Sequence, residues 1–277
     1  MNGVAESEIP NSLGGRWRDL GDRAIFRITG PDRVRYLNGQ VTNQMDGPPE
    51  RGVVPACLCT VKGKVEALVW VRADGESLIL DGEGCQREAL LARLERYLIS
   101  DDCEVEDVSD HYRLLHHFIG DSGGGMVCRR ARFLGRDLLL SRDEVFPFPD
   151  SEAISDQDWE CEEVLARIPK SGFEFHGEEF PAELGLDEWA VDFHKGCYLG
   201  QEIVSRIRSV GKVKRSLRVV VAERSLSQGE EITLPEGESG TVTRSSVCDS
   251  EGRHLSLAIF KAPLPEDGCK TVVLPLS

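Results

Sequence analysis

The sequence predicts an α+β protein made of two successive α+β units and closed by a small all-β domain. Three observations predict it. Strand-like alternation and helical stripes follow one another in the order β–α–β–β–β–α over the first hundred residues. A similar run of strands with one periodic helix recurs from Tyr112 onward, although the two halves show no visible sequence identity. Beyond about residue 210 the pattern changes to short strands with Gly-rich turns, which marks a small barrel or sandwich.

Residues 1–20 are Gly-rich and polar and are expected to form a loosely held arm. Alternation over Arg23–Ile28 reads as a strand, and Gly30-Pro31-Asp32 turns into a short helix through Val34, Tyr36 and Leu37. Val53–Thr60 and Val65–Arg72 are β-rich and flank Lys62-Gly63-Lys64, a tight turn, with a third strand at Ser77–Asp81. Leu90, Leu91, Leu94, Tyr97 and Leu98 form one apolar stripe, predicting a helix over Cys85–Ile99. Strands follow at Tyr112–Ile119, Met126–Phe133 and Asp137–Ser141, then a helix near Trp159–Ile168 with Cys161, Val164, Leu165 and Ile168 on one face. The last strands are expected at Ser216–Ala222, Gly240–Val247, Leu255–Phe260 and Thr271–Leu274.

The chain has 277 residues with 33 Lys+Arg against 48 Asp+Glu, a formal net charge of −15. Such acidity argues against broad binding of phosphate backbones while leaving room for a local basic site. No apolar run reaches the roughly 20 residues of a bilayer span, so no membrane partner is expected. The first residues show neither a basic nor an apolar secretory region. The nine cysteines include no C-x-x-C pair and no zinc-ligand spacing, which predicts reduced thiols in the cytoplasm and no metal site.

Several motifs have ordinary structural readings. Gly120-Asp121-Ser122-Gly123-Gly124 matches two serine-hydrolase patterns, but a nucleophile elbow needs a helix directly after the serine. Here a β-like run follows, so the sequence predicts a Gly-rich hairpin turn. His116 and His117 are neighbours on a strand, point to opposite faces, and cannot chelate one ion together. Cys57 and Cys59 share a strand face and read as buried core thiols. Arg206, Arg208, Lys212, Lys214, Arg215 and Arg218 form a basic segment, and Ile203–Ala222 contains no acid. It could attract a polyglutamate tail, a phosphate or an RNA backbone; equally, it could be a surface face paired with carboxylates.

Lys195-Gly196-Cys197-Tyr198-Leu199-Gly200-Gln201-Glu202 reads as a Gly-containing turn opening a short helix. A thiol placed there would feel the helix N-terminus and Lys195, both of which favour thiolate. Cys197 is therefore either a functional or a structural cysteine on residue type alone.

This eight-residue stretch resembles the signature of the YgfZ family, relatives of the glycine-cleavage T-protein (aminomethyltransferase). The resemblance covers most of the chain. It includes Arg27-Ile28, Gly30, Asp32, Tyr36-Leu37 and Gly39-Gln40-Val41-Thr42-Asn43, then the Val61-Lys62-Gly63-Lys64-Val65 hairpin. It continues through Arg167-Ile168, Gly172, Pro181, Glu183–Leu186 and Ala190-Val191-x-Phe193, then Gly211-x-Val213-Lys214-Arg215-x-Leu217 and Gly240-Thr241-Val242-Thr243. The resemblance implies a duplicated ferredoxin-like, folate-binding body over residues 21–210, with a break near 110, and a small C-terminal β-barrel over 211–277. It implies tetrahydrofolate as the cofactor, and iron–sulfur client or assembly proteins, with tRNA modification, as the setting. Cys197 becomes the candidate functional thiol with Lys195 beside it. Asn43, Tyr198, Gln201, Glu202, Arg206, Lys214 and Arg215 become candidate folate-facing residues.

Two departures bear on the chemistry. The T-protein's paired aspartates after the Gly-Gly hairpin fall here at Ala67 and Leu68, which transfer no proton, and Glu66 is expected on the other strand face. The pterin-gripping Glu after Arg-Ile is replaced by Pro169-Lys170-Ser171, which weakens folate binding unless Glu174, Glu178 or Glu179 substitutes. The expected function is thus an accessory role in iron–sulfur cluster assembly or repair. A tetrahydrofolate-dependent aminomethyl or one-carbon transferase is the competing enzyme reading, and a tRNA-binding module the third.

Overall fold

The computed structural model describes residues 14–45, 52–118, 124–145, 147, 152–210, 213–261, 263, 265 and 270–274. Chain order gives β1 (Trp17–Asp19), β2 (Arg23–Thr29), α1 (Arg33–Gln40), β3 (Val54–Cys59), β4 (Val65–Asp74), β5 (Ser77–Glu83), α2 (Arg87–Arg96) and β6 (Glu104–Asp107). These are followed by β7 (Tyr112–His117), β8 (Met126–Cys128), β9 (Gly135–Ser141), α3 (Asp156–Leu165) and α4 (Gln201–Val210). The chain closes with β10 (Ser216–Ala222), β11 (Glu231–Thr233), β12 (Ser239–Val242), β13 (Val247–Cys248), β14 (His254–Phe260) and β15 (Thr271–Val273). It is a mixed α/β fold of three sheets with few helices.

The first sheet is antiparallel in the order β3-β4-β5-β2-β6. Alternation along β2 sends Ala24, Phe26 and Ile28 to the face covered by α1 and α2, where they meet Tyr36, Leu37, Leu90 and Leu94. The Tyr36 hydroxyl donates to the Leu94 carbonyl at 2.6 Å, so the two helices are tied by a buried bond as well as by packing. Burying a leucine such as Leu37 or Leu94 stabilises by about 1.5–3 kcal/mol relative to exposure. β6 is an acidic edge strand whose Glu-Val-Glu-Asp composition hid it in the sequence.

The second sheet runs β1-β7-β9-β8. Trp17–Asp19 pairs with Leu115–His117, which corrects the expectation of a loosely held arm at these residues. Strands β7 and β8 both pair with β9 and not with each other, so they are not the two arms of one hairpin. Residues 120–123 of the Gly-rich motif lie outside the described residues; among the described residues after them comes strand β8, with no helix between. β8 stops at Cys128, shorter than expected, and the chain beyond it turns inward so that Arg130 enters the interior.

That interior is a charged seam between the two sheets. Asp81 of β5 accepts from Arg23, Arg72 and Arg130, while Asp137 of β9 accepts from Arg72 at 3.0 Å and from Arg130 and His116 Nδ1 at 2.7 Å. Both carboxyls are fully buried, yet these arginines hold them below the usual carboxylate range against the cost of burial. The Arg23 and Arg130 guanidiniums also lie over the Trp70 ring, at 5.2 and 4.5 Å.

The third sheet is ordered β11-β12-β14-β10-β15, with β13 on β14 and β15 parallel to β10. One face builds its own core from Val220, Ile232, Val242, Ala258 and Phe260; the other puts Leu217, Val219, Leu255 and Leu257 into the main core. Glu174 locks this junction. It is fully buried and accepts from Thr243 Oγ1 at 2.7 Å, Arg244 Nε at 3.0 Å and Lys170 N at 2.8 Å. Among the described residues no helix is long and apolar enough to cross a membrane, and no metal-ligating cluster is found.

Candidate functional site

Three segments distant in sequence meet at the C-terminal end of α1. The helix stops because Val41 is extended, at φ −110° and ψ 155°, leaving last-turn carbonyls in need of partners. Val41 N bonds back to Leu37 O, and Leu199 N donates to Gly39 O, both at 3.1 Å. The Lys195 ammonium donates to the carbonyls of Asn38, Val41 and Asn43 at 2.8, 2.7 and 2.7 Å. Thr42 stitches the same segment to β3: its hydroxyl donates to Ala190 O and accepts from Cys57 N, and its carbonyl accepts from Asp192 N.

The hairpin between β3 and β4 forms the third side. Gly63 has φ +71° and Gly200 has φ +85°, conformations that favour glycine. A Cβ on Gly200 would lie 2.4 Å from Thr60 O, and one on Gly63 would lie 3.1 Å from Ile203 Cβ. The hairpin tip and the turn opening α4 therefore touch backbone to backbone. In this way the Asn38–Asn43, Lys62–Lys64 and Lys195–Glu202 stretches, separate in sequence, become one structural unit.

Cys197 sits midway between the two anchors, Lys195 and Leu199, and is exposed; Gln201 opens α4 behind it. The eight described cysteines are all free thiols, and Cys57, Cys59, Cys103, Cys128 and Cys161 are buried as expected of core residues. Burial pushes Cys57 up to about 12 and Cys59 well above its ordinary value, so neither is a thiolate at neutral pH. Tyr198 turns inward. Its ring covers the Lys195 ammonium at 5.4 Å, and its buried hydroxyl has no hydrogen-bond partner among the described residues. Burial, then the nearby Cys59, Cys57 and Asp192, keep that phenol protonated.

The sequence placed the Lys195 charge beside the Cys197 thiol. The structure instead directs the ammonium's three donors at main-chain carbonyls, with the residue only 8% exposed. Gln201 Nε2 reaches back to the carbonyls of Lys195 and Gly196 at 3.4 Å each, and exposed Glu202 pairs with Arg206. Asn43 is held locally, its amide donating to Pro55 O and its side-chain oxygen accepting from Gln44 N.

The basic segment does not form one solvated strip. Arg218 is fully buried, bonded to Ser216, Glu238 and Pro263 O. Arg215 pairs with Glu183 at 3.1 Å and Glu179 at 3.6 Å, and Arg208 lies 3.8 Å from the centre of the Phe193 ring. Lys214 is exposed, and Lys212 lies outside the described residues. Carboxylate pairing therefore accounts for Arg206, Arg215 and Arg218.

No family model matches the chain. The tRNA-modifying protein YgfZ of Serratia proteamaculans is 27% identical over 272 residues, covering 85% of this chain and 79% of that protein. Its namesake from Aliivibrio fischeri is 24% identical over 295 residues, covering 96% and 91%. A protein of Pyricularia oryzae described as "Iron-sulfur cluster assembly factor IBA57 homolog, mitochondrial" is 26% identical over 215 residues, covering 72% of this chain and 55% of that protein. Among solved structures, the glycine cleavage system aminomethyltransferase T from Bartonella henselae superposes with a TM-score of 0.74 at 15% identity, covering 90% of this chain and 78% of that one. This chain has the aminomethyltransferase T fold.

On that fold the two sequence departures take definite places. Ala67 and Leu68 are each 1% exposed and pack into opposite apolar clusters, paired across the ladder with Leu58 and Cys57. Glu66 is skipped by the ladder register, and its carboxylate reaches Arg93 of α2 at 2.8 Å. At Pro169–Ser171, Glu174 is committed to its buried lock, and Glu179 accepts from the His176 and Glu178 amides and pairs with Arg215. Two carboxylates the sequence did not mark also reach this loop: Glu163 pairs with Lys170 Nζ at 2.6 Å, and Glu83 accepts from Ser171 N at 3.0 Å, with its pKa raised by burial. Nothing local distinguishes a glutamate at a strand end or on a helix, so only the tertiary fold shows where these two lead.

Proposed function

We propose that this chain is a folate-binding-fold accessory protein of iron–sulfur cluster assembly or repair, linked to tRNA modification, and that Cys197 is its working thiol. The observation carrying this reading is an exposed cysteine on a loop anchored at both ends, where five of the eight described thiols are buried. The names borne by the bacterial and fungal relatives support the setting. An iron–sulfur apoprotein or assembly protein would be the partner, and the cluster its cargo. We place the protein in the cytoplasm, with a body of two ferredoxin-like layers over residues 21–210 and a β-barrel after it.

Tetrahydrofolate is proposed as a ligand of the body and not as a reactant. The residues at the T-protein's catalytic positions, Ala67 and Leu68, cannot handle a proton, and the loop at Pro169–Ser171 supplies no carboxylate of its own. One-carbon transfer is not favoured.

The test is complementation. In cells lacking the protein, wild type should restore iron–sulfur enzyme activity, while Cys197→Ser, expressed and folded to the same level, should not. Full rescue by Cys197→Ser would end the assignment of the thiol.

A further inference from the structure

A buried ammonium is costly unless every N–H is matched by an acceptor. Lys195 meets this condition with its three donors facing three carbonyls, at 2.8, 2.7 and 2.7 Å, and with the Tyr198 ring covering it at 5.4 Å. Those carbonyls belong to the last turn of α1 and the residues just beyond it, where the helix dipole is negative and a cation is favoured. The Leu199 N–H takes the neighbouring Gly39 carbonyl. Residues 195 and 199 thus cap the C-terminus of α1 together, and Cys197 spans the gap between them.

We propose that Lys195 is a positioning residue: its charge is used to clamp the Cys197 loop onto the C-terminal end of α1, so that the thiol is presented at a fixed point on the surface. This rests on the reading of Cys197 as the working group, but its test follows loop geometry and not cluster assembly, so the two can fail separately. The clamp also explains why the Asn38–Asn43 block and the Lys195–Glu202 block occur in one chain. Each satisfies the backbone of the other.

The test compares wild type with Lys195→Met, which matches the four-atom apolar stem and removes the charge and donors. In wild type the clamp predicts a slowly exchanging side-chain ammonium resonance, missing from Lys195→Met, and a Leu199 amide protected from hydrogen exchange. In Lys195→Met that protection should fall, and Cys197 alkylation by neutral iodoacetamide should change by one constant factor at every pH. A shifted midpoint of the alkylation–pH curve with unchanged Leu199 protection would overturn the proposal, since Lys195 would then act on the thiol's charge. If Lys195→Met does not fold, wild type alone decides. A rapidly exchanging ammonium or a Leu199 amide exchanging like an open loop rules the clamp out.

Discussion

The seam between the first two sheets and the bracket around Cys197 both bury cationic side chains, and they neutralise them differently. In the seam, three arginines face two aspartates and a histidine, with Trp70 sharing the excess positive charge. In the bracket, one lysine is held by neutral carbonyls. An ionic network ties two sheets together but depends on pH through its carboxylates. The lysine's hydrogen bonds to three main-chain carbonyls tie a loop to a helix end rather than one sheet to another. The first arrangement suits a core, the second a site that must present a thiol.

The largest expected effect lies in the seam. Removing the Asp137 charge leaves Arg72, Arg130 and His116, all buried, short of a partner, so Asp137→Asn should cost about 3–5 kcal/mol in denaturant unfolding. The same carboxyls set the acid limit. The folded state depresses the Asp81 and Asp137 pKa values, so their stabilisation is complete above the unfolded value of about 3.9 and is lost as pH falls below it. Stability should drop steeply on that side in wild type and less steeply in Asp137→Asn. Equal acid slopes would mean that the seam is not what acid breaks.

A smaller effect is expected at the bracket. Gly200→Ala strains a backbone at φ +85° and sets a methyl group against Thr60 O, for about 1–3 kcal/mol. Protection of the Leu199 amide should fall with it, while the unfolding of the seam keeps its acid dependence. A Gly200→Ala protein as stable as wild type, with Leu199 still protected, would show that the hairpin does not brace the turn.

Much of the fold was legible because period-2 and 3.6-residue patterns mark half-buried strands and helices; Ser216–Ala222 is found where its alternation put it. Trp17–Asp19 and Glu104–Asp107 were not legible, since a short edge strand rich in charge carries no apolar alternation. Cys197 stood out through its motif, and the structure adds that it is exposed. The role of its neighbours did not stand out. Carbonyls from Asn38, Val41 and Asn43 have no sequence signature, so the Lys195 charge was assigned to the thiol. The acids that neutralise Arg215 and Arg218 lie at Glu183 and Glu238, outside the segment whose sign was read.

The contrast between exposed and buried thiols can be measured directly by site-resolved alkylation of the native protein at neutral pH, with mass spectrometry of each cysteine. Cys197 should be modified without unfolding, while Cys57 and Cys59, buried on β3 and with Cys57 pushed up to about 12, should stay unmodified until denaturant is added. A Cys197 that reacts only together with Cys57 and Cys59, after unfolding, would contradict the account and make it one more structural cysteine.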